Sequence, residues 1–414
     1  MISWPGRLLN VRRVDVAEID WIPEGTRFGT QEMAWFAGRG ERDLDEHLAE
    51  VDLVITGPHA SAAFPAELQP FVDDRLTKRL QYDFTDISTS PVTRRWATTD
   101  PRVLYIEDPH PRAVRDANRA RPDDLLPGLR EAFARLDEAG PDGRPALTGV
   151  DAVRPVTFGY LPVLRRPETD QGWNRLVDAL DKAGALGIDE YERVRDDLIE
   201  RVIEAKLRRL ATIDPASCTV AEWSSATHLD VMSMHDTMNH TARPDGAVCL
   251  ERRPEDRLPA VVALSNHGDA NGSLDPSDAT TLRDPAEVPT MRPDRIRTIG
   301  RAYQIAFDAW GGDDLAYNRP YKGGHETRTI GPKLRALEPL AVVRPRGGVA
   351  RRLRLGVWQN EFLREFLLGP EAVATLAQPG VDWVLPPEDR VDWLAGRLRH
   401  AHDLVRTWGP ALID

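Results

Sequence analysis

The chain has 414 residues, 41% hydrophobic and 29% charged, with no apolar run of the roughly 18 residues that a bilayer crossing needs, so no membrane span is expected. Its formal net charge of -12 argues against nonspecific nucleic-acid binding, because a phosphate backbone attracts a cationic face, yet it leaves room for a local basic pocket holding a small anion. Only Cys218 and Cys249 occur, too few for a disulfide framework and not spaced as a cysteine metal site; together with a start, Met1 to Arg7, that lacks a basic segment followed by an apolar core, this predicts a cytoplasmic protein.

Val51-Asp52-Leu53-Val54-Ile55-Thr56 is a β-branched run that stops at Gly57-Pro58, so it reads as a buried strand ending in a loop with His59 just past it. Residues 139–146 are rich in Pro and Gly and read as a loop. Trp173, Leu176, Val177, Leu180 and Ala183 share one helical face, and Tyr191, Val194, Leu198, Val202 and Ala205 share another, with both signs of charge crowding its outer side. Ala260 to Leu264 reads as another strand, ending in Ser265-Asn266-His267-Gly268-Asp269, and residues 271–288 as another loop. Ile299 to Trp310 looks helical, Leu353 to Trp358 alternates like a strand, and Val391, Leu394, Leu398, Ala401, Val405 and Trp408 recur at helical spacing after a helix start at Pro386 to Asp389. Strands alternating with helices predict an α/β fold: a mixed, largely parallel central sheet flanked by helices on both faces. Ligands in such sheets bind outside the carboxyl ends of the strands.

Several segments carry residue types suited to chemistry. In Gly57-Pro58-His59-Ala60-Ser61, a His directly after a strand can serve as metal ligand or general base, or simply cap the strand end. In Met232-Ser233-Met234-His235-Asp236, a His beside carboxylates suits a zinc site, whose imidazoles need an acceptor on the other ring nitrogen; the alternative is a core run with an incidental His. Arg112 to Arg119 combines guanidinium groups with the Asn118 amide, a pattern that can grip a carboxylate or merely start a charged helix. Asn318-Arg319-Pro320-Tyr321-Lys322-Gly323-Gly324 reads as a surface turn or as a site wall, its Gly pair permitting close backbone approach.

Taken in order, these segments resemble the N-formylglutamate amidohydrolase family. The matching pieces are Pro58-His59 to Pro65, Asp116-Ala117-Asn118-Arg119, Ser233-Met234-His235-Asp236, Asn318 to Gly324, and Glu361-Phe362-Leu363-Arg364, spanning roughly residues 50 to 370. The resemblance implies a fold like that of zinc exopeptidases and aspartoacylases. It also implies zinc held by His59, His235 and a carboxylate, for which Asp86 in Thr85-Asp86-Ile87-Ser88 is chosen over Asp83. Glu361 would then be the catalytic acid–base. Asn118 and Arg119, with Arg112 in reserve, would fix the carboxylate of a small-molecule substrate, while Asn318 and Lys322 would contact it from the loop. The chain is longer than a typical member, which predicts an N-terminal extension at 1–45 and one catalytic domain at 46–414 with an insertion at about 120–225.

Two departures stand out. Ser233 occupies the place of the family's Asp and Asp236 that of its Ser, so His235 is expected to be oriented by Asp236 or Asp230; His325-Glu326-Thr327-Arg328 after the Gly pair suggests a changed substrate. The leading expectation is a zinc-dependent amidohydrolase of an N-formyl or N-acyl amino acid. A zinc carboxypeptidase-like hydrolase of a larger amide and an inactive binding protein of the same fold are the alternatives.

Overall fold

The computed structural model describes residues 19–140, 143–274, 288–345 and 348–408. The Met1 to Arg7 start, residues 141–142 of the first expected loop and residues 275–287 of the second lie outside them. No helix among the described residues is long and apolar enough to cross a membrane.

Seven strands form the central sheet: β1 (Ala34–Trp35), β2 (Leu53–Gly57), β3 (Val103–Glu107), β4 (His228–Thr237), β5 (Val262–Ser265), β6 (Leu315–Tyr317) and β7 (Arg354–Leu363). Their spatial order is β6-β5-β7-β4-β2-β3-β1. The central run β7-β4-β2-β3 is parallel, while β5 opposes β7 and β1 opposes β3, so the sheet is mixed and largely parallel. The edge strand β1 comes from the stretch expected as an N-terminal extension.

Helices cover both faces: α1 (Thr89–Thr99), α2 (Leu125–Ala139), α3 (Asp170–Leu186), α4 (Ile188–Thr212), α5 (Pro293–Phe307), α6 (His325–Leu337) and α7 (Glu388–Trp408). The period-two alternation of the strands sorts their side chains between two cores. Leu53, Ile55, Met232, Met234, Trp358 and Phe362 point to the core that α1, α5 and α7 complete. Val54, Leu229, Val231 and Val357 point to the other, completed by α2, α3, α4 and α6. Continued toward the carboxyl ends, this second alternation places Thr56 on β2, Ser233, His235 and Thr237 on β4, and Gln359 and Glu361 on β7 at one end of that core, with Ser233 beside Gln359 and His235 beside Glu361. The sheet therefore changes from apolar to polar along a single face.

Candidate metal centre

His59 leaves the end of β2 in the Pro58 loop and is buried, and His235 sits near the end of β4, also buried. Asp86 lies between them: its Oδ2 is 3.2 Å from His59 Nδ1 and 2.9 Å from His235 Nδ1. The three side chains form a group able to hold a metal ion, their ligand atoms all within 4.8 Å of one another. Tetrahedral zinc with ligands at about 2.0–2.1 Å places them roughly 3.3 Å apart, near the 3.2 and 2.9 Å between Asp86 and the two rings.

The far sides of the rings decide what faces inward. His59 Nε2 lies 2.7 Å from Asp116 Oδ1, and Arg112 binds the other Asp116 oxygen through Nε at 3.1 Å and Nη2 at 2.8 Å. Burial would raise the Asp116 pKa, but Arg112 and His59 hold it well below the usual carboxylate range. An ionised carboxylate only accepts, so His59 Nε2 donates and Nδ1 is the nitrogen turned toward Asp86. Asp86 is likewise kept ionised against burial by His59, His235 and Arg112. Burial opposes charge on His235, yet the bond to Asp86 and the Glu361 carboxylate raise its proton affinity. Two imidazole nitrogens and an ionised carboxylate thus converge on one buried point that favours positive charge, carried by ring protons or by a metal ion.

Arg364 stabilises this arrangement from behind, pairing with Asp236 and donating to the carbonyls of Asp83 and Thr85. Asp83 is thereby tied to Arg364 at 3.7 Å and is not part of the group around the histidines. Asp236 and Asp230 do not orient His235 as expected, since Asp236 turns to Arg364 and Asp230 to Arg295 at 2.5 Å. The partner of His235 Nε2 is Ser233 Oγ at 2.9 Å.

A cavity of about 130 Å³ opens beside the three ligands, lined also by Arg112, Asn118, Arg119, Phe158, Thr237, Tyr321, Gly323, Gly324, Gln359 and Glu361. Glu361 is buried; Thr237 Oγ1 donates to its Oε1 at 2.7 Å and Gln359 Nε2 to its Oε2 at 2.8 Å. Glu361 faces the cavity from within β7, which runs through to Leu363. Arg119 donates to Asp151 at 2.8 Å and to the Asn118 carbonyl at 3.1 Å. On the wall, the guanidinium carbons of Arg112, Arg154 and Arg252 lie 4.8, 5.1 and 5.4 Å from the Phe158 ring centre, a local basic patch on an acidic protein.

The loop residues divide. Asn118 Oδ1 accepts from Glu326 N at 3.0 Å, capping α6 from another segment. Gly324 is required there, since a Cβ would sit 2.1 Å from the Asn118 amide; the backbone approach expected toward a ligand is in fact made toward Asn118. Asn318 is not among the lining residues: its amide exchanges bonds with Asn266, accepting from N at 2.9 Å and donating to Oδ1 at 3.0 Å, and so ties two loops together. Lys322 is exposed and also not among them; its carbonyl accepts from His267 N at 2.8 Å. His325 likewise lies outside the lining, and Glu326 is fully buried behind the site rather than at its mouth.

Sequence reading missed Thr237 and Gln359, although strand alternation from His235 and Glu361 points to both; it named Asn318 and Lys322 rather than Tyr321 from the same loop, and it missed Phe158, for which no local signal exists. No protein-family profile matches the chain, and no curated protein matches it. Among solved structures, N-formylglutamate amidohydrolase from Ralstonia eutropha JMP134 is similar over 86% of this chain and 95% of its own, at 17% identity and a TM-score of 0.44. A gene product of Agrobacterium tumefaciens is similar over 86% of this chain and 92% of its own, at 13% identity and a TM-score of 0.38.

Proposed function

We propose that the protein is a metal-dependent amidohydrolase, with zinc as the ion, cleaving the amide of a small N-formyl or N-acyl amino acid such as N-formylglutamate. The observation that carries this reading is the convergence of His59 Nδ1, His235 Nδ1 and Asp86 Oδ2 beside the buried carboxylate of Glu361. A divalent ion there supplies Lewis-acid chemistry, polarising an amide carbonyl and acidifying water.

The chain's own groups do the rest. Glu361, held by Thr237 and Gln359, accepts a proton from the attacking water and returns it to the departing nitrogen. In this reading Arg119 and the Asn118 amide, both lining the cavity, hold the substrate carboxylate, and the guanidinium groups around Phe158 add positive charge. Arg112 is committed to Asp116 and acts through it on His59. A cavity of about 130 Å³ lies below the roughly 300 Å³ at which drug-sized ligand pockets begin, which favours a small acyl group.

A second reading, cleavage of an amide within a larger molecule, is favoured by a groove of about 700 Å³ between α2 and residues 148–153, which meets the cavity at Arg119. Metal analysis of the purified chain and a hydrolysis screen of N-formyl amino acids, N-acyl amino acids and short peptides tests both. About one zinc per chain, lost with its activity in His59→Ala, is the expected result; unchanged metal content in that variant would sink the metal centre.

A further inference from the structure

We infer that Glu326, acting through the Ser233 hydroxyl, is the positioning carboxylate of His235, and that helix α4 serves the site by locking Glu326 in place, a role that presupposes the metal centre proposed above. Glu326 is fully buried in the first turn of α6. Its Oε2 accepts from Ser233 Oγ at 2.5 Å and Thr56 Oγ1 at 2.7 Å, and its Oε1 from Tyr191 OH at 2.8 Å and Arg195 Nη1 at 2.9 Å. Burial alone would favour the neutral acid, but Arg195 and the three hydroxyl bonds hold Glu326 ionised.

Counting protons gives the consequence. Ser233 has one hydroxyl proton, and an ionised carboxylate can only accept, so that proton goes to Glu326. The Ser233 oxygen then faces His235 Nε2, 2.9 Å away, with lone pairs alone, and Nε2 must carry the hydrogen. With Nε2 so committed, Nδ1 is the nitrogen that His235 offers to a cation beside Asp86, as Nδ1 is for His59, whose Nε2 meets Asp116 without an intermediary. Metal-binding imidazoles depend on such partners for tautomer and ring orientation.

Both groups at Oε1 come from α4. Tyr191 and Arg195 stand one helical turn apart and are buried, and their hydrogen bonds go to Glu326 and Asp196 rather than to either metal-site histidine. The stretch expected as an insertion at about 120–225 thus supplies the cation that keeps Glu326 charged.

The test is zinc affinity of the full chain, by chelator competition, in parallel variants. Ser233→Ala should weaken zinc by about 10- to 100-fold, the range found when such partners are removed, whereas Ser233→Thr, which keeps the hydroxyl, should bind as the parent does. Arg195→Gln should weaken zinc in the same direction while leaving all three ligands in place. If His59→Ala abolishes zinc binding but Ser233→Ala binds it like the parent, the relay is wrong and the metal centre stands. If His59→Ala keeps its zinc, the metal centre itself is wrong and the relay falls with it.

Discussion

At the amino edge of the sheet, buried charges meet their opposites. Asp52 is held by Arg406 through Nε at 2.8 Å and Nη2 at 2.7 Å, Asp100 by Arg102 at 2.9 Å, and Asp230 by Arg295 at 2.5 Å. Lys206, fully buried with its pKa pushed down to about 8 by burial, donates to the carbonyl of Val51 at 2.9 Å. At the carboxyl edge the acid Asp86 meets two imidazoles, His59 and His235, whose ring nitrogens converge on it and can give up their protons to a metal ion. Burial of charge therefore does not mark a site by itself. A closed set of acid–guanidinium pairs reads as structure, and a set in which two imidazoles and a carboxylate converge reads as a place able to hold a metal ion.

That contrast can be broken by experiment. Arg406→Leu leaves Asp52 buried without its cation and should cost about 3–5 kcal/mol in urea unfolding, with zinc affinity of the folded chain unchanged. Glu361→Gln should do the reverse, lowering kcat by about 10²- to 10⁴-fold in a steady-state assay while stability and zinc content stay at parent values. A zinc loss in the first variant or a large stability loss in the second would erase the distinction between the two edges.

Acid sharpens it further. His402 packs near Trp96 and Trp358 close to Arg406, and burial, aided by Arg406, pushes its pKa down to about 3. In the unfolded chain the group titrates near 6.5, so below that pH the unfolded state binds a proton that the folded state refuses. Stability should fall by about 1.4 kcal/mol per pH unit from 6.5 down toward 3, and His402→Leu should flatten that slope in urea midpoints measured against pH. The smallest effect is expected at the half-exposed Arg119: Arg119→Ala should raise KM roughly tenfold for a carboxylate-bearing substrate, as loss of one charge-assisted bond allows, and leave a neutral amide nearly unaffected. Equal shifts for both substrates would remove Arg119 from anion recognition.

Much of the scaffold was legible because its signals are local. The β-branched run before Gly57, the helical faces of α3, α4 and α7 and the alternation leading into β7 each depend on neighbours a few residues away. Strand β4 was harder to read: Ser233, His235 and Thr237 interrupt its apolar pattern because they face the cavity end of the core. Asn318 and Lys322 were singled out from a loop whose turn chemistry was right, but their side-chain directions are set by Asn266 and by exposure to solvent.

Residue chemistry and order along the chain thus determined which groups were available: the imidazoles, the acids Asp86 and Glu361, the guanidinium groups and the Gly pair. Tertiary structure alone decided their partners. Thr56 and Glu326 meet across 270 positions, His235 and Asp86 across 149. Periodicity records which face of an element is buried, and it carries no record of which distant hydroxyl or carboxylate lies opposite. That choice is made when the sheet, α4 and the start of α6 close around one point, where the Ser233 hydroxyl finds Glu326 on one side and His235 on the other.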